Sequence, residues 1–341
     1  MRRSPPDNPL KSEIAPFPPL ESAAGGRGDA PIVLLHGLLE SPAIWEPQRR
    51  ALETAGFESL ALPLPGHRPD AVRGASARAI IAAEHGLTRH IAERIELRTG
   101  GRPVRLVGHS LGGHLALCIA RERPDLVQEV MALGALHSGA CGRTETLASW
   151  LVTKAPAIGP PTARWLLARW VSCPTRFEAW MRPSLAKGER LRAPTAKMRR
   201  DLATGDTDTM RALVDWVSHR DALSEIKKVE CPVTCVIGAR DPVVTADHQL
   251  ALLCALRRGV GTLIDSGHLP MLTAPDLVAR TLVAWARAGV PGADRQSKAR
   301  ASARSTLAPR AVHPAHVAEL PNAAAAVTPL PRAADCEEAA P

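Results

Sequence analysis

The sequence predicts an α/β architecture: a mostly parallel central sheet flanked by helices, with a long helical stretch inserted near the middle of the chain. Three observations carry this expectation. The run Pro31-Ile32-Val33-Leu34-Leu35 is short and continuously apolar, the mark of a strand buried on both faces. Such runs alternate with helical patterns up to about residue 138, and that alternation calls for right-handed crossovers and parallel pairing. After a long helical stretch the same alternation resumes over residues 226–289.

Taken in order, residues 1–29 are rich in Pro and Gly, lack clear periodicity and read as an irregular N-terminal arm. A strand over 31–35 is followed by a helix over 45–55, which Gly56 closes. Residues 58–62 form the next strand, stopped by Pro63 and Pro65. Ser76 caps a longer helix to about residue 97, and Gly100-Gly101 closes it. Strand 104–107 leads into helix 111–121, which stops before Pro124, and 127–133 is a further strand. Residues 30–138 are thus the first part of the core, and 139–225 form a helical cap in which Trp and Arg are prominent. The second part, 226–289, holds strands at 233–237 and 262–264 and helices at 246–257 and 274–288. In the last helix Leu277, Val278, Leu282 and Trp285 make one apolar face. Residues 290–341 are Ala, Pro, Arg and Ser without apolar periodicity and read as a disordered C-terminal tail.

Composition narrows the chemistry. With 341 residues, 45% of them hydrophobic, the chain can bury a large core. It has no Tyr, which removes phenolic acid–base chemistry and a tyrosyl oxyanion donor. A net charge of +9 raises anionic partners, yet the Arg residues are spread along the chain and no nucleic-acid module pattern occurs, so no nucleic-acid partner is expected. Seven irregularly spaced Cys do not make a disulfide framework. Cys231 and Cys235 fall in a strand, roughly 13 Å apart, too far to share a metal. No apolar h-region follows Arg2-Arg3, and no run approaches the ~18–20 apolar residues of a transmembrane segment, so the expected location is cytoplasmic.

The chemistry centres on Ser110, in Gly108-His109-Ser110-Leu111-Gly112-Gly113. A strand runs directly into this string and a helix runs directly out, a turn so tight that it strains the Ser backbone and needs small neighbours. A Ser hydroxyl becomes a nucleophile only when an oriented base takes its proton. His268, in Asp265-Ser266-Gly267-His268, and Asp241, in Gly238-Ala239-Arg240-Asp241, both follow late strands. Their loops open at the same carboxyl edge of the sheet, and the chain order Ser, Asp, His fits a known triad arrangement. The oxyanion donors expected are the backbone N–H groups of Leu111, next to the nucleophile, and Leu38, where Gly37 lets the loop turn inward. His109 is expected to pack beside the turn and His114 to be buried on the following helix. His137, ending a strand near the mouth, could touch substrate.

These residues resemble the α/β-hydrolase superfamily. The resemblance covers about residues 31–288 and rests on Leu34-Leu35-His36-Gly37, Leu64-Pro65-Gly66-His67, Gly108 to Gly113, the loop from Gly238 to Asp241, and Gly267-His268. It implies the α/β-hydrolase fold, an eight-stranded sheet with a lid after the sixth strand. It also implies a serine esterase-like hydrolase that cleaves a small-molecule carboxylic ester or thioester through an acyl-enzyme on Ser110, without metal or organic cofactor. Other triad chemistry (C–C bond hydrolysis, an aminopeptidase, haloperoxidase-type perhydrolysis) and a non-catalytic binding protein stay open. Members with an Asp nucleophile are excluded by the Ser at the turn. The chain departs from the pattern in two places: residues 1–29 offer only 11–14 for the usual leading hairpin, and His67-Arg68-Pro69-Asp70 replaces a common Gly-x-Gly. The cap holds Trp150, Trp165, Trp170, Trp180 and Trp216, which build its own core or line an apolar pocket over Ser110. Its excess of basic residues is a solvated face or a receiver for an anionic substrate. Trp45, His137, Trp165 and Trp216 are the candidate substrate-binding residues.

Overall fold

The computed structural model describes residues 30–68, 71–141 and 159–289, together with the backbone of 327–330. The strands are β1 Ile32–Leu35, β2 Ser59–Leu62, β3 Val104–His109, β4 Val127–Leu133, β5 Val233–Gly238, β6 Gly259–Ile264 and β7 Val327–Leu330. Helices α1 Glu46–Thr54, α2 Gly74–Ala82, α3 Gly86–Thr99 and α4 Leu111–Glu122 precede β4. Helices α5 Gly159–Val171, α6 Pro174–Met181, α7 Ala196–Ala203 and α8 Thr207–Ser218 lie between β4 and β5, and α9 Ala246–Ala255 and α10 Pro275–Ala288 follow β5. The strand order is β2-β1-β3-β4-β5-β6-β7, parallel through β6.

The four residues of β1 show why the sheet is covered on both sides. Successive side chains point to opposite faces, and all four are fully buried. Val33 and Leu35 share a core with Ile91, Leu106, Leu115 and Leu252, beneath α3, α4 and α9. Ile32 and Leu34 share the other with Leu52, Val107, Leu282 and Trp285, beneath α1 and α10. Each such side chain contributes roughly 1.5–3 kcal/mol by leaving water. At the far end of β3 a buried ion pair joins Arg105 to Glu129 at 2.9 Å. The same guanidinium donates to the Trp285 and Ala286 carbonyls and stacks 4.0 Å over the Trp285 ring, fixing the end of α10.

Register places the site. Leu35 pairs with Gly108, Gly108 with Ala132, Leu133 with Val236, and Gly238 with Ile264. The carboxyl ends of five strands therefore align, and every loop leaving them opens at one edge of the sheet.

Two local expectations change. The helix expected over 76–97 is broken at 83–85: His85 takes φ 53, and a Cβ on Gly86 would lie 2.2 Å from the Ile80 carbonyl oxygen. The apolar period continues across this break, but the close approach and the His85–Glu122 contact at 2.8 Å turn the chain. Four residues of the expected disordered tail form β7, antiparallel to β6. An edge strand offers unpaired backbone groups that such a segment can satisfy, and an edge tolerates Pro329. The rest of 290–341 and the arm 1–29, with any leading hairpin, lie outside the described residues. Cys254 is disulfide-bonded, whereas Cys118, Cys173, Cys231 and Cys235 are free thiols. No helix among the described residues is long and apolar enough to cross a membrane.

Candidate active site

β3 passes into α4 through Ser110 alone, which holds φ 51 and ψ −118, a conformation that L residues rarely adopt. The missing side chains around it explain how the turn closes. A Cβ on Gly108 would lie 2.3 Å from the Gly112 carbonyl oxygen, and one on Gly112 would lie 2.4 Å from that of Leu35. One on Gly113 would meet Ala135 Cβ at 2.6 Å. The serine is thus held at a strand end with the N-terminus of a 12-residue helix behind it.

Two neighbouring loops complete a hydrogen-bonded line. Ser110 Oγ lies 3.0 Å from His268 Nε2, and His268 Nδ1 lies 2.7 Å from Asp241 Oδ2. Since a carboxylate only accepts, Nδ1 carries the proton and Nε2 faces the hydroxyl as an acceptor. Asp241 is held in turn: Oδ1 accepts from the N–H groups of Val243 and Val244 at 2.8 and 2.9 Å, and Oδ2 accepts from Gln249 Nε2 at 3.2 Å. All three residues are buried, with Ser110 8%, Asp241 7% and His268 6% exposed.

Beneath this line lies a second acid–imidazole pair. His109 Nε2 donates to the His268 carbonyl at 2.7 Å, while Nδ1 approaches Glu40 Oε1 to 2.8 Å, close but off the N–H axis. Glu40 Oε2 accepts from Gly37 N–H at 2.6 Å, tying the loop after β1 to the nucleophile turn. Burial is the largest single influence and opposes charge on both groups, but the contacts around each together outweigh it. Glu40, then the His268 carbonyl and Asp241, raise His109 above the usual imidazole value. His109, followed by His36 and Gly37 N–H, holds Glu40 below the usual carboxylate range. Sequence reasoning placed His109 beside the turn and missed Glu40 and Gln249, which carry no local motif.

Two more buried imidazoles brace the loops. His36 Nδ1 donates to Gly37 O at 2.8 Å and Nε2 accepts from Leu64 N–H at 3.1 Å. His67 Nδ1 donates to Pro65 O at 2.9 Å and Nε2 accepts from Leu39 N–H at 3.1 Å. Each ring uses one donor and one acceptor, so both are neutral. Burial, aided by His67, pushes His36 down to about 3, and burial pushes His67 down to about 4. The sign follows: the unfolded chain protonates these rings below about 6.5, the folded chain only near 3–4, so stability falls as pH drops through that window. At about pH 5 each ring should cost about 2 kcal/mol relative to neutral pH. The raised His109 works in the opposite sense. Urea denaturation at about pH 7.5 and pH 5 should show a lower midpoint in acid, and equal midpoints would contradict the assignment.

Leu111 opens α4, where a first-turn N–H has no intrahelical acceptor, and Leu38 N–H has none among the described residues. The candidate substrate residues are dispersed. Trp45 has no exposed surface and shares a core with Ile32, Leu52 and Met198, so it is a packing residue instead of a pocket wall. Trp165 is 61% exposed, its ring 5.6 Å from the Arg169 guanidinium. Trp216 packs edge-on against His114 at 5.8 Å, and the two line a small cavity of about 80 Å³ with Cys118 and Arg220, apart from the triad residues. His137 stacks on His248 at 3.7 Å, its backbone N–H donating to that ring. Trp170 and Trp180 stack on each other at 4.9 Å within the inserted segment, and Trp150 lies outside the described residues.

A parallel sheet with helices on both faces and a serine, histidine and aspartate aligned at its carboxyl edge define a hydrolase of the α/β class. A family model of the alpha/beta hydrolases matches residues 32–281, and the chain belongs to that family. It is 26% identical over 268 residues, 76% of this chain and 91% of the relative, to the (E)-2-((N-methylformamido)methylene)succinate hydrolase of Acinetobacter baylyi. It is 24% identical to the pimeloyl-[acyl-carrier protein] methyl ester esterase of Nitrosomonas europaea, over 73% of this chain and 93% of that one. Among solved structures, the enol-lactonase of Burkholderia xenovorans superposes with a TM-score of 0.56 at 19% identity, covering 76% of this chain and 92% of its own.

Proposed function

We propose that this chain is a serine hydrolase that cleaves a small-molecule carboxylic ester or thioester through an acyl-enzyme on Ser110. The observation that carries this reading is the unbroken line Ser110–His268–Asp241, with hydrogen bonds of 3.0 and 2.7 Å. His268 Nε2 takes the hydroxyl proton as Ser110 Oγ attacks the acyl carbon, then returns it to the departing alkoxide or thiolate. Asp241 keeps the reactive tautomer and stabilises the imidazolium. The N–H groups of Leu38 and Leu111 receive the tetrahedral oxyanion, and water, deprotonated by His268, releases the acid. Residues 139–225 act as the cap over this edge.

A second reading comes from the relative at 26% identity, whose name gives a succinate derivative as its substrate. On that reading the same serine opens a carboxylate-bearing enamide. A panel of p-nitrophenyl esters, acyl thioesters and methylenesuccinate enamides separates the two. Ester or thioester turnover with an initial burst of one product per enzyme is expected. Turnover of the enamides alone would replace the first reading by the second.

A further inference from the structure

One stretch of the inserted segment, residues 184–193, lies directly across the loops that carry Asp241 and His268. His268 N–H donates to the Ser184 carbonyl at 2.9 Å, and Arg192 and Ala193 N–H groups donate to the Leu272 carbonyl at 2.8 and 3.0 Å. Arg240, next to Asp241, donates to the Lys187 carbonyl at 3.0 Å. The approach is so close that a Cβ on Gly267 would lie 2.4 Å from Ala186 N.

Glu189 is the centre of this strap. Its Oε1 accepts from Ser266 Oγ at 2.8 Å, Gly267 N–H at 3.0 Å and Thr273 Oγ1 at 3.3 Å, while Oε2 accepts from Ala186 N–H at 2.8 Å. Three of these four donors belong to the segment that presents His268, and the fourth folds the strap onto itself. A half-buried carboxylate met only by donors is a strong, directional anchor.

We propose that Glu189 is a positioning residue for His268: the inserted segment supplies a carboxylate that fixes the histidine-bearing loop at its reach of Ser110. This rests on the serine-hydrolase reading above. It makes residues 184–193 a fixed buttress of the triad, and substrate must enter past another part of the cap.

The test is the rate of Ser110 labelling by a fluorophosphonate, with kcat and KM on the best ester, in Glu189→Ala, Glu189→Gln and Glu189→Asp. Displacing a catalytic group by about 1 Å can cost ~10²-fold. Glu189→Ala should therefore lower the labelling rate constant and kcat by ~10²-fold, with KM changed less than about twofold. Glu189→Gln keeps an oxygen for Ser266 and Gly267 and should recover to within ~10-fold of the wild type, whereas the shorter Asp should not. A purely structural role would lower the fraction of molecules labelled and the melting temperature while leaving the rate constant unchanged; that result overturns the proposal. If Glu189→Ala does not fold, Glu189→Asp and Ser266→Ala decide, and wild-type labelling rates in both refute it. Absence of Ser110 labelling in the wild-type protein would instead sink the underlying serine-hydrolase reading.

Discussion

Replacing Ser110 by Ala is expected to abolish fluorophosphonate labelling and to lower turnover by roughly 10⁶-fold, the scale of losing a triad nucleophile. The effect is large because no other group near the site among the described residues can take its place: Asp241 is saturated by four donors, His109 is engaged with Glu40 and His268, and the N–H groups only stabilise charge. Such residual binding leaves on the order of 10³–10⁴-fold over water. The fold should be indifferent. Ala keeps the Cβ and with it the φ of 51, and the Oγ removed makes a single hydrogen bond, to His268. Equal melting temperatures with lost labelling identify the nucleophile. Labelling at the wild-type rate in Ser110→Ala would remove the serine from the mechanism.

The parts of this site that were legible in the sequence are those that backbone geometry imposes locally. A serine between a strand and a helix cannot close its turn unless positions 108, 112 and 113 lack side chains, and the clashes that Cβ atoms would make there show why. His268 and Asp241 were legible because each follows a strand whose carboxyl end the parallel register carries to the same edge. Glu40, Gln249 and Glu189 were not, since their partners are assembled by tertiary packing and no short motif marks a buried acceptor. The rings were misplaced for a related reason. Trp45 and Trp165 were both candidates for touching substrate, but which face a ring takes depends on packing, which left Trp165 exposed and Trp45 in the core. The break before Gly86 and the pairing of β7 likewise depend on what approaches the chain, a closely packed turn in one case and a free strand edge in the other.

Asp241→Asn is expected to cost roughly 10⁴-fold in kcat at neutral pH, with little change in KM. The argument is one of donors and acceptors. Every group around the carboxylate donates: Val243 and Val244 N–H to Oδ1, His268 Nδ1–H and Gln249 Nε2–H to Oδ2. An amide places an NH₂ on one of these two sides. Turned toward the backbone, it faces two N–H groups and loses both loop bonds, about 1–3 kcal/mol for each group left unsatisfied. Turned toward His268, it can only donate to Nδ1, so the ring must carry its proton on Nε2, where it can no longer accept from Ser110. The second arrangement sacrifices less stability and more activity, so the variant should remain folded while fluorophosphonate labelling slows in step with kcat. A variant that labels at the wild-type rate would show that Asp241 acts as a turn residue alone, and the base at Ser110 would then owe its orientation to Glu189 and the His109 contact beneath it.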